Sequence, residues 1–377
     1  MNKPKNETTV IVGMSGGVDS SVCAALLKEQ GYNVIGLFMK NWEELDDSGE
    51  CSSTKDYKDV ISVCEKLEIP YYSVEFVKEY WDNVFQHFID EYAAGYTPNP
   101  DILCNREIKF KVFFDKAMEM GADYLATGHY CQHLKVNGHS SLVKGIDQGK
   151  DQTYFLYTMQ EKILEKVLFP IGHLEKSEVR KIAAKYDLST KEKKDSTGIC
   201  FIGERNFKEF LSQYVELKPG QFKDLDGNVV GEHGGSAYYT IGQRKGLGLG
   251  GPGAAWFVVD KDIKENEVIV VRGDDHPALY TDELWANELS FVGSPTHFPQ
   301  KLYAKVRYRQ PDQECELISI VNGVAHVRFT GPQRAVTVRQ SVVFYQDKEG
   351  ERVCLGGGMI QKRGETYQEM GKILPKS

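Results

Sequence analysis

The segment Gly13–Ser20, which reads Gly-Met-Ser-Gly-Gly-Val-Asp-Ser, constrains the fold of this chain more than any other segment. It follows the apolar run Val10–Val12 and precedes Ser21–Gln30, a run with the composition of a helix. A strand, a glycine turn and a helix start in this order favour phosphate, because glycine lets an anion approach the backbone and the first N–H groups of a helix attract it. An ordinary glycine/serine turn is the alternative interpretation, and the flanking strand and helix argue against it.

This loop differs from a Walker A motif, which needs Gly-x-x-x-x-Gly-Lys-Ser/Thr. In that frame Val18-Asp19-Ser20 supplies neither the second glycine nor the lysine. The loop instead resembles Ser-Gly-Gly-x-Asp-Ser, the PP-loop of the ATP pyrophosphatases, which cleave ATP between the α and β phosphates and transfer AMP to a substrate oxygen. The resemblance implies that ATP, together with Mg²⁺, binds residues of the loop and of two strand ends: Gly13, Met14, Ser15, Gly16, Gly17, Val18, Asp19, Ser20, Met39 and Gly128.

The length and composition are those of a globular protein with several domains. A chain of 377 residues exceeds what one hydrophobic core usually serves, so two or three domains are expected. No apolar run approaches the roughly 18 residues of a membrane span. The N-terminus also lacks the apolar stretch of a secretory signal. These features predict a cytoplasmic protein that does not enter a membrane.

The eight cysteines form no Cys-x-x-Cys pair, so no metal site is predicted. Most of them should be small buried hydrophobic residues. Cys104, in Asn99–Asn105, and Cys200, in Asp195–Ile202, are exceptions because turn-forming residues and cations flank them. Nearby cations favour the thiolate form, so these two thiols are candidate reactive groups. Both segments are expected to be loops, the first of them preceding a helix.

The net charge of −8 conceals an uneven distribution of charge. Residues 286–377 carry 13 Lys+Arg against 9 Asp+Glu, and residues 176–208 carry 9 against 5. A basic patch on an acidic protein suits a nucleic acid that is held at a few phosphates. Scattered, solvated lysines are the alternative interpretation.

The first half of the chain alternates between strand-like and helix-like segments. We predict strands at 9–14, 34–39, 71–76 and 124–127, and helices at 20–30, 55–67, 78–94, 108–120 and 176–185. This alternation is typical of a parallel sheet with helices on both faces, in which ligands bind beyond the carboxyl ends of the strands. A hairpin turn is predicted at 136–139, after the fourth strand.

The pattern changes after about Tyr214, where glycine and proline turns separate short β-like runs. Beyond residue 300 the apolar residues alternate with period two, and no long helical pattern occurs. We therefore predict an α/β domain of the PP-loop type at 1–214, a small β-rich module at 215–284 and a C-terminal β-barrel at 285–377.

Several further segments resemble those of the tRNA-specific 2-thiouridylases. Besides the PP-loop they are Asn99–Asn105 (Asn-Pro-Asp-Ile-Leu-Cys-Asn), Gly128-His129-Tyr130, Lys150-Asp151-Gln152, Asp195–Ile202 (Asp-Ser-Thr-Gly-Ile-Cys-Phe-Ile), Ile241–Gly246 and Arg307–Gln310. A PP-loop alone would be shared with many synthetases, and the two cysteine segments are far more specific. The resemblance extends over nearly the whole chain.

The resemblance implies an enzyme, a tRNA-uridine 2-sulfurtransferase that thiolates C2 of the wobble uridine in tRNAs for lysine, glutamate and glutamine. Adenylation turns the C2 oxygen, a poor leaving group, into AMP. The cysteine matching Cys200 carries the sulfur as a persulfide. Cys104 is the partner thiolate, which frees hydrosulfide or closes a transient Cys104–Cys200 disulfide. A cysteine desulfurase or a persulfide relay protein would supply the sulfur.

The resemblance also implies the residues that contact the RNA. Asn99, Pro100 and Asp101 would contact the target base, with Asp101 as a general acid or base. The other implied tRNA contacts are His129, Lys150, Asp151, Gln152, Tyr308, Arg309 and Gln340.

Simpler roles remain alternatives for several of these residues. His129 could hydrogen-bond within a loop, Lys150-Asp151 could be a plain turn, and Tyr308 and Arg309 could be ordinary surface residues. The glycine-rich run 246–253 could be a flexible linker. Because Arg244-Lys245 precedes it, it could also close over an RNA backbone.

Three other functional interpretations stay open. A PP-loop synthetase could use ammonia or an amino acid as acceptor, although Cys104 and Cys200 would then have no task. A non-catalytic RNA-binding protein could retain the nucleotide fold, although the intact PP-loop argues against it. An iron–sulfur cluster could be held by Cys104, Cys200 and Asp101 and take part in tRNA thiolation.

Overall fold

The computed structural model describes residues 3–43, 52–195, 207–216, 218–292 and 297–375. The strands are β1 (Thr9–Met14), β2 (Asn33–Lys40), β3 (Tyr71–Glu75), β4 (Tyr124–Ala126), β5 (Cys131–Val136), β6 (His139–Lys144), β7 (Val167–Leu168), β8 (Gly220–Lys223), β9 (Val229–His233), β10 (Trp256–Asp262), β11 (Glu267–Arg272), β12 (Tyr280–Phe291), β13 (Gln300–Lys305), β14 (Gln313–Val321), β15 (Val324–Arg334), β16 (Ser341–Lys348) and β17 (Glu351–Arg363). The α-helices are α1 (Val18–Glu29), α2 (Ser52–Lys66), α3 (Val77–Tyr80), α4 (Gln86–Ala93), α5 (Pro100–Leu103), α6 (Phe113–Glu119), α7 (Glu161–Leu164), α8 (Lys176–Lys185) and α9 (Phe207–Ser212).

Two of the helical regions contain wide, π-helical turns. Trp81–Phe85 joins α3 to α4, and Cys104–Val112 joins α5 to α6. The second stretch is kinked at Phe110, where φ is −104° and ψ is 22°. The first region corresponds to one predicted helix, 78–94, because the apolar spacing is hardly changed by a single wide turn. The second region begins at Pro100, before the predicted helix 108–120.

A parallel sheet with the strand order β3-β2-β1-β4-β7 forms the first half of the chain. Val10 and Val12 pack into a core with α1, whereas Ile11 packs into a second core with Phe113 of α6. Alternate residues of β1 thus point to opposite faces, and helices cover both. The predicted α/β architecture is confirmed. The two-residue strand β7 was not predicted, because so short a run carries no periodic signal.

The second half contains two antiparallel-rich sheets. The smaller one has the order β10-β11-β8-β9 and forms the central module. In the larger one, β12 to β17 follow the order β12-β15-β14-β13-β16-β17, and β12 also pairs with β17. This last pairing closes the six strands into a barrel, as expected from their period-two pattern.

The hairpin β5–β6 connects the two halves of the molecule. Its turn residues Asn137 and Gly138 have φ angles of 50° and 80°, the values that a two-residue hairpin turn requires. The turn was predicted, but its location in the fold was not. The hairpin extends the barrel sheet, because β6 pairs with β17 through Leu142–Cys354 and Val143–Val353.

A cluster of buried charges lies where this hairpin meets the barrel. Asp312 binds Lys144 of β6, and its other carboxylate oxygen lies 2.8 Å from Arg352 of β17. Lys305 lies 4.0 Å from Asp312. The Lys144 ammonium also lies 4.6 Å from the ring centroid of Tyr345, a cation–π contact. Asp312 is therefore the anion that neutralises several cations at this junction.

Among the described residues, no helix is both long and apolar enough to cross a membrane.

Replacing Asp312 by Asn is expected to reduce the free energy of unfolding by about 3 kcal/mol, because the buried side chains of Lys144 and Lys305 would lose their anionic partner. Asp347→Asn is the control, since Asp347 binds the same Arg352 but its side chain is 57% exposed. That change should amount to less than about 1 kcal/mol. The urea midpoints of the two variants measure the difference, and equal midpoints would contradict the role given to the cluster.

Candidate active site

The segment Gly13–Ser20, called the PP-loop below, lies at the carboxyl end of β1, where the chain turns into α1. Gly16 has a φ of 73°, and a Cβ atom there would lie 2.6 Å from the backbone oxygen of Asp56 on α2. Only glycine fits this position. The Ser20 hydroxyl lies 3.2 Å from both the backbone nitrogen and the hydroxyl of Ser15. These contacts hold the loop in a closed turn over the helix start.

Several backbone N–H groups of this loop are available to a ligand. Among the described residues, no acceptor is present for the N–H groups of Gly16, Val18, Asp19 and Ser20. Gly128, two residues beyond β4, approaches them so closely that a Cβ atom would lie 3.0 Å from the backbone nitrogen of Ser20. A loop of N–H groups at a helix N-terminus binds phosphate oxygens. The predicted phosphate cradle therefore has the backbone geometry that it needs.

The carboxylate of Asp19 is held by two side chains from outside the loop. The Lys176 ammonium lies 2.7 and 2.8 Å from its two oxygens, and the Tyr130 hydroxyl donates to it over 2.7 Å. Burial, and then the charge of Asp19, raises the pKa of Tyr130, so its hydroxyl stays a donor. Lys176 thus brings a cation to the edge of the phosphate cradle.

Asp195 gathers three cations beside this cradle. Lys150 lies 2.6 Å, Lys176 2.8 Å and Arg180 3.0 Å from its carboxylate oxygens. Although burial alone would raise it, hydrogen bonds from Lys150 and Lys176 lower the pKa of Asp195 to about 2. Residues 196–206, which include Cys200, lie outside the described part of the chain. Asp195, the last described residue before Cys200, is therefore linked to Asp19 by the ion pairs that Lys176 makes with both carboxylates.

Cys104 lies inside a helix, and the prediction of a loop around it was wrong. Asn99 is the N-cap of α5, Pro100 is its first residue, and Cys104 opens the π-helical stretch that follows. Proline is favoured in the first turn of a helix, because it lacks the N–H group that would have no partner there. The Cys104 side chain is 5% exposed and packs in a cluster that includes Phe88. Chemistry at this sulfur would take place in an enclosed space.

Lys109 couples the Asp101 segment to the strand end at His129. Burial raises the pKa of Asp101, and the charge of Lys109 opposes that rise. Burial, followed by the same charge, holds the pKa of His129 well below its usual value. The imidazole is therefore neutral, and its Nδ1 lies 2.8 Å from the Thr127 hydroxyl. A carboxyl group with a raised pKa transfers protons near neutral pH more readily than an ordinary aspartate.

The central module holds the chain just before Asn99. The ammonium group of Lys261, on β10, donates to the carbonyl oxygens of Gly95 and Tyr239 over 2.5 and 2.9 Å. Ile263 covers Gly95 so closely that a Cβ atom there would lie 2.8 Å from the isoleucine side chain. Burial lowers the pKa of Lys261 to about 8, against the attraction of Asp260. We call residues 95–97, together with these contacts, the clamped segment.

The barrel holds the same segment from another side. The Gln340 side chain donates to the carbonyl oxygen of Thr97 over 2.6 Å, and the guanidinium of Arg339 lies 5.0 Å from the ring centroid of Tyr96. The hydroxyls of Thr97 and Thr240 are 3.2 Å apart. The residues that precede Asn99 are thus fixed by the central module and the barrel together. Gln340, implied as a tRNA contact by the family resemblance, has this internal task in the structure.

The other implied tRNA residues form two groups. Tyr308 lies against Phe155 with ring centroids 4.5 Å apart, and its hydroxyl donates to the Lys150 carbonyl over 3.4 Å. Arg309, beside it, is exposed. The side-chain oxygen of Gln152 accepts from the backbone N–H of Tyr130 over 2.9 Å. The structure thus brings the 150–152 turn next to residues 308–309 of the barrel, as an RNA that contacts both would require.

Asp151 differs from the other implied tRNA residues of this turn, because its side chain is buried. It is 2% exposed and accepts hydrogen bonds from the backbone N–H of Gly145 over 3.1 Å and from the Thr153 hydroxyl over 2.9 Å. A carboxylate that is buried and satisfied in this way shapes the turn. The backbone N–H groups of Lys150 and Asp151 both donate to the carbonyl oxygen of Asp147 in that turn.

The structure also bears on the remaining cysteines. Cys51 and Cys200 lie outside the described residues. Burial raises the pKa of five thiols: Cys23, Cys64, Cys131, Cys315 and Cys354. Their expected role as small hydrophobic residues is confirmed. Within the described ranges, His, Cys, Asp and Glu form no group of three that could bind a metal ion.

Sequence patterns did not identify Lys176 and Lys261 as residues of the site. A lysine as the first residue of a helix, as Lys176 is in α8, opposes the helix dipole and indicates an anionic partner. Lys261 lies opposite Val268, a buried residue of the neighbouring strand β11. Both signals are weak, because surface lysines commonly occupy such positions without a partner.

Family models match three consecutive parts of the chain. A tRNA methyl transferase HUP domain matches residues 8–204, a tRNA methyl transferase PRC-barrel domain matches residues 208–272, and an aminomethyltransferase β-barrel domain matches residues 281–360. This layout agrees with the parallel sheet, the small module and the barrel described above.

The chain is also similar over almost its whole length to individual bacterial proteins. It is 62% identical over 372 residues to the tRNA-specific 2-thiouridylase MnmA of Protochlamydia amoebophila, covering 98% of each chain. It is 55% identical to the protein of that name from Shouchella clausii, over 96% of this chain and 98% of that one. A solved structure, the U34-tRNA thiolase NcsA from Methanococcus maripaludis with its 4Fe-4S cluster, aligns with 55% of this chain and 65% of its own at 22% identity, and its TM-score of 0.35 is too low to support an inference.

Replacing Gly128 by Ala should weaken nucleotide binding by about tenfold or more, because the new methyl group displaces the backbone at Ser20. Gly331→Ala is the control, since a Cβ atom there has no neighbour within 4 Å. Calorimetric titration with ATP measures the affinity, and the thermal unfolding temperature shows whether each variant is folded. Unchanged ATP affinity in a folded Gly128→Ala variant would contradict the position given to the phosphate site.

Replacing Lys261 by Met tests the clamped segment. The protonated lysine is disfavoured in the folded protein, where its pKa is about 8, relative to the unfolded chain, where the pKa is 10.5. The unfolded state therefore binds more protons between these values, and the stability of the wild type rises over this range of pH. The difference in unfolding free energy between wild type and variant should shift in favour of the wild type from pH 7 to pH 10.

Amide hydrogen exchange at residues 95–97 should also become faster in this variant, because the hydrogen bond from Lys261 to Gly95 and its link to Tyr239 are lost. The control is Lys264→Met, at an exposed position of the turn after β10. A stability difference that does not change with pH, together with unchanged exchange, would show that Lys261 does not hold the segment.

Proposed function

The chain belongs to the tRNA-specific 2-thiouridylase family, and from this premise we propose that it replaces the C2 oxygen of the wobble uridine of tRNA by sulfur, using ATP. The products are 2-thiouridine in the tRNA, AMP and pyrophosphate. The reaction has an adenylation step and a sulfur-transfer step, and the protein needs a separate group of residues for each.

One observation carries the proposal. The loop between β1 and α1 presents four backbone N–H groups for which the described residues supply no acceptor, next to a glycine two residues beyond β4 and a lysine that already binds an anion. Such a loop binds the phosphates of ATP and stabilises the charge that collects on the leaving pyrophosphate. A bare glycine turn would not need Gly128 to press against the helix start.

Mg²⁺ is proposed to enter as part of the substrate, bound to the ATP phosphates. Mg²⁺ commonly keeps its waters and takes only one or two protein carboxylates, so a dedicated cage of side chains is not required. Asp19, the carboxylate of the loop, is the candidate protein ligand. It pairs with Lys176 at 2.7 Å, so binding the ion would release Lys176 to contact a phosphate oxygen.

The acceptor side of the reaction is assigned to Asn99–Asp101. With the base held there, the C2 oxygen attacks the α-phosphorus, the bond from that phosphorus to the β-phosphate oxygen breaks, and pyrophosphate leaves. The uracil ring loses its N3 proton as its oxygen bonds to phosphorus. The raised pKa of Asp101 makes it a stronger base than an exposed aspartate, so it can accept this proton.

Sulfur transfer is assigned to Cys104 and Cys200. In one route the outer persulfide sulfur on Cys200 attacks C2, AMP leaves with the C2 oxygen, and the Cys104 thiolate then displaces the sulfur as a disulfide forms. In the other route Cys104 attacks the persulfide first and frees hydrosulfide, which attacks C2. Both routes end with 2-thiouridine and a Cys104–Cys200 disulfide, which a thiol reductant must open before the next turnover.

The partners follow from the same chemistry. A persulfide on Cys200 must come from a donor protein such as a cysteine desulfurase or a persulfide relay. Lys150, Gln152, Tyr308 and Arg309 are proposed to contact the anticodon arm of tRNAs for lysine, glutamate and glutamine. Reducible catalytic thiols and a tRNA substrate suit a protein of the cytoplasm. We also propose the three domains at 1–214, 215–284 and 285–377 as the units that divide these tasks.

The Cys200→Ser variant should still release pyrophosphate in the presence of tRNA, but it should produce no 2-thiouridine, because adenylation does not need the persulfide. Cys104→Ser should also stop turnover. Mass spectrometry of nucleosides from treated tRNA measures the product. Cys315→Ala is the control, since this thiol is 3% exposed within the barrel and should retain full product.

Full 2-thiouridine from the Cys200→Ser variant would rule out the persulfide assignment. An absorption spectrum of protein purified without oxygen separates the remaining alternative. A cluster ligated by Cys104, Cys200 and Asp101 would absorb visible light, whereas a persulfide enzyme should show the ultraviolet absorption of the protein alone.

A further inference from the structure

The glycine-rich segment of the central module has an unusual number of unsatisfied backbone donors. Between Arg244 and Ala255, no backbone N–H group donates to an acceptor in the described protein. Gly246, Gly248, Gly251 and Gly253 have positive φ angles, so the chain turns repeatedly where other residues would be strained. Successive N–H groups in such turns can form concave sites for anions. We call residues 244–255 the glycine loop of the central module.

Two arginines and a tryptophan border an open cavity of about 280 Å³ that this loop lines. The Arg272 guanidinium lies 4.2 Å from the ring centroid of Trp256 and donates to the carbonyl oxygen of Ala254 over 2.9 Å. Arg272 is therefore held in place beside the cavity. Arg244, on the other border, is exposed and makes no ion pair with any described residue.

The chemistry of this cavity selects an anion. Among the described residues, its border contains two arginines and no acidic residue. Arginine presents several N–H donors in one plane, which match the oxygens of a phosphate. Gly251 has a φ of 101°, a conformation that favours glycine, and it lies so close to the guanidinium that a Cβ atom there would be 2.9 Å from an Arg272 nitrogen. The loop, the arginines and the open volume together suit a phosphate with part of a sugar attached.

The glycine loop of the central module begins close to the contacts that hold the clamped segment before Asn99. Thr240, four residues before Arg244, lies against Thr97, two residues before Asn99, with hydroxyls 3.2 Å apart. Arg307 of the barrel donates to the carbonyl oxygen of Ile241 over 2.6 Å. Covalent geometry then limits the distance from Arg244 to Asn99 to about 30 Å, the length of roughly nine stacked nucleotides. One RNA molecule can therefore reach both places.

We propose that the glycine loop of the central module is a phosphate site for the tRNA backbone, in which Arg244 and Arg272 hold a phosphate while Asn99–Asp101 hold the target base. The proposal rests on the function proposed above, since it assigns a second contact to the same RNA. It gives the central module a direct role in substrate binding in addition to holding the clamped segment.

The first experiment replaces Arg244 by Ala and by Lys and measures tRNA affinity at several salt concentrations. Loss of one phosphate contact should weaken binding and reduce the slope of log affinity against log salt by about one unit. Arg244→Lys should retain the slope, because the charge remains. Lys162→Ala, an exposed lysine of α7, removes one charge elsewhere and should leave affinity and slope unchanged.

The second experiment adds a charge to the loop without straining it. A Cβ atom at Gly250 has no neighbour within 4 Å and the residue does not need a positive φ, so Gly250→Gln should be tolerated. Gly250→Glu has nearly the same shape but places a carboxylate at the cavity, and it should bind tRNA more weakly than Gly250→Gln by about tenfold at low salt. ATP affinity should be the same in both variants.

The outcomes separate this proposal from the proposed function. Wild-type thiolation with unchanged affinity and slope in Arg244→Ala and equal binding by the two Gly250 variants would overturn the phosphate site alone. A wild-type protein that neither binds nor thiolates tRNA would overturn the function. Two results would show that the cavity binds small phosphates, and either would also overturn the proposal. One is a loss of ATP affinity in Gly250→Glu, and the other is binding of inorganic phosphate at the cavity that leaves tRNA affinity unchanged.

Discussion

Backbone pairing between β6 and β17 determines how the nucleotide-binding half and the barrel are arranged. Leu142 and Val143 pair with residues more than 200 positions later, so a hairpin of the first half forms part of the barrel sheet. The buried contacts of Lys144 with Asp312 reinforce this edge. Because the hairpin begins at Cys131, directly after Tyr130, a shift of the barrel would also move the strand end that faces the PP-loop.

The active site also depends on contacts from the central module and the barrel. The clamped segment before Asn99 is short and makes no strand or helix, and its position comes from Lys261 and Gln340, which belong to the central module and the barrel. A segment held by two other domains loses its conformational entropy when the protein folds and not when RNA binds. The chain that leads into Asn99–Asp101 is therefore ordered in advance by parts of the protein that lie far away in sequence.

Sequence patterns predicted the elements whose signal is local. The predicted bounds of β1 and α8 coincide with those in the structure, because apolar periodicity and flanking turns suffice for both. The Pro100 segment was misassigned because proline both ends helices and begins them, and only packing decides between these. Burial of Asp151 and the reach of Lys261 depend on residues that are distant in sequence, so no local pattern could indicate them. The pairing of the hairpin with the barrel was missed for the same reason.

The buried thiols have a consequence for the fidelity of sulfur handling. Exchange between sulfur atoms requires a thiolate that can reach its partner, and the rate falls when the thiol stays protonated and enclosed. Five of the eight cysteines have pKa values raised by burial. These five thiols therefore exchange only slowly with an activated sulfur atom elsewhere in the protein. A chain with eight cysteines can therefore carry a reactive sulfur atom without losing it to the other thiols, because the packing of its cores keeps those thiols protonated and out of reach.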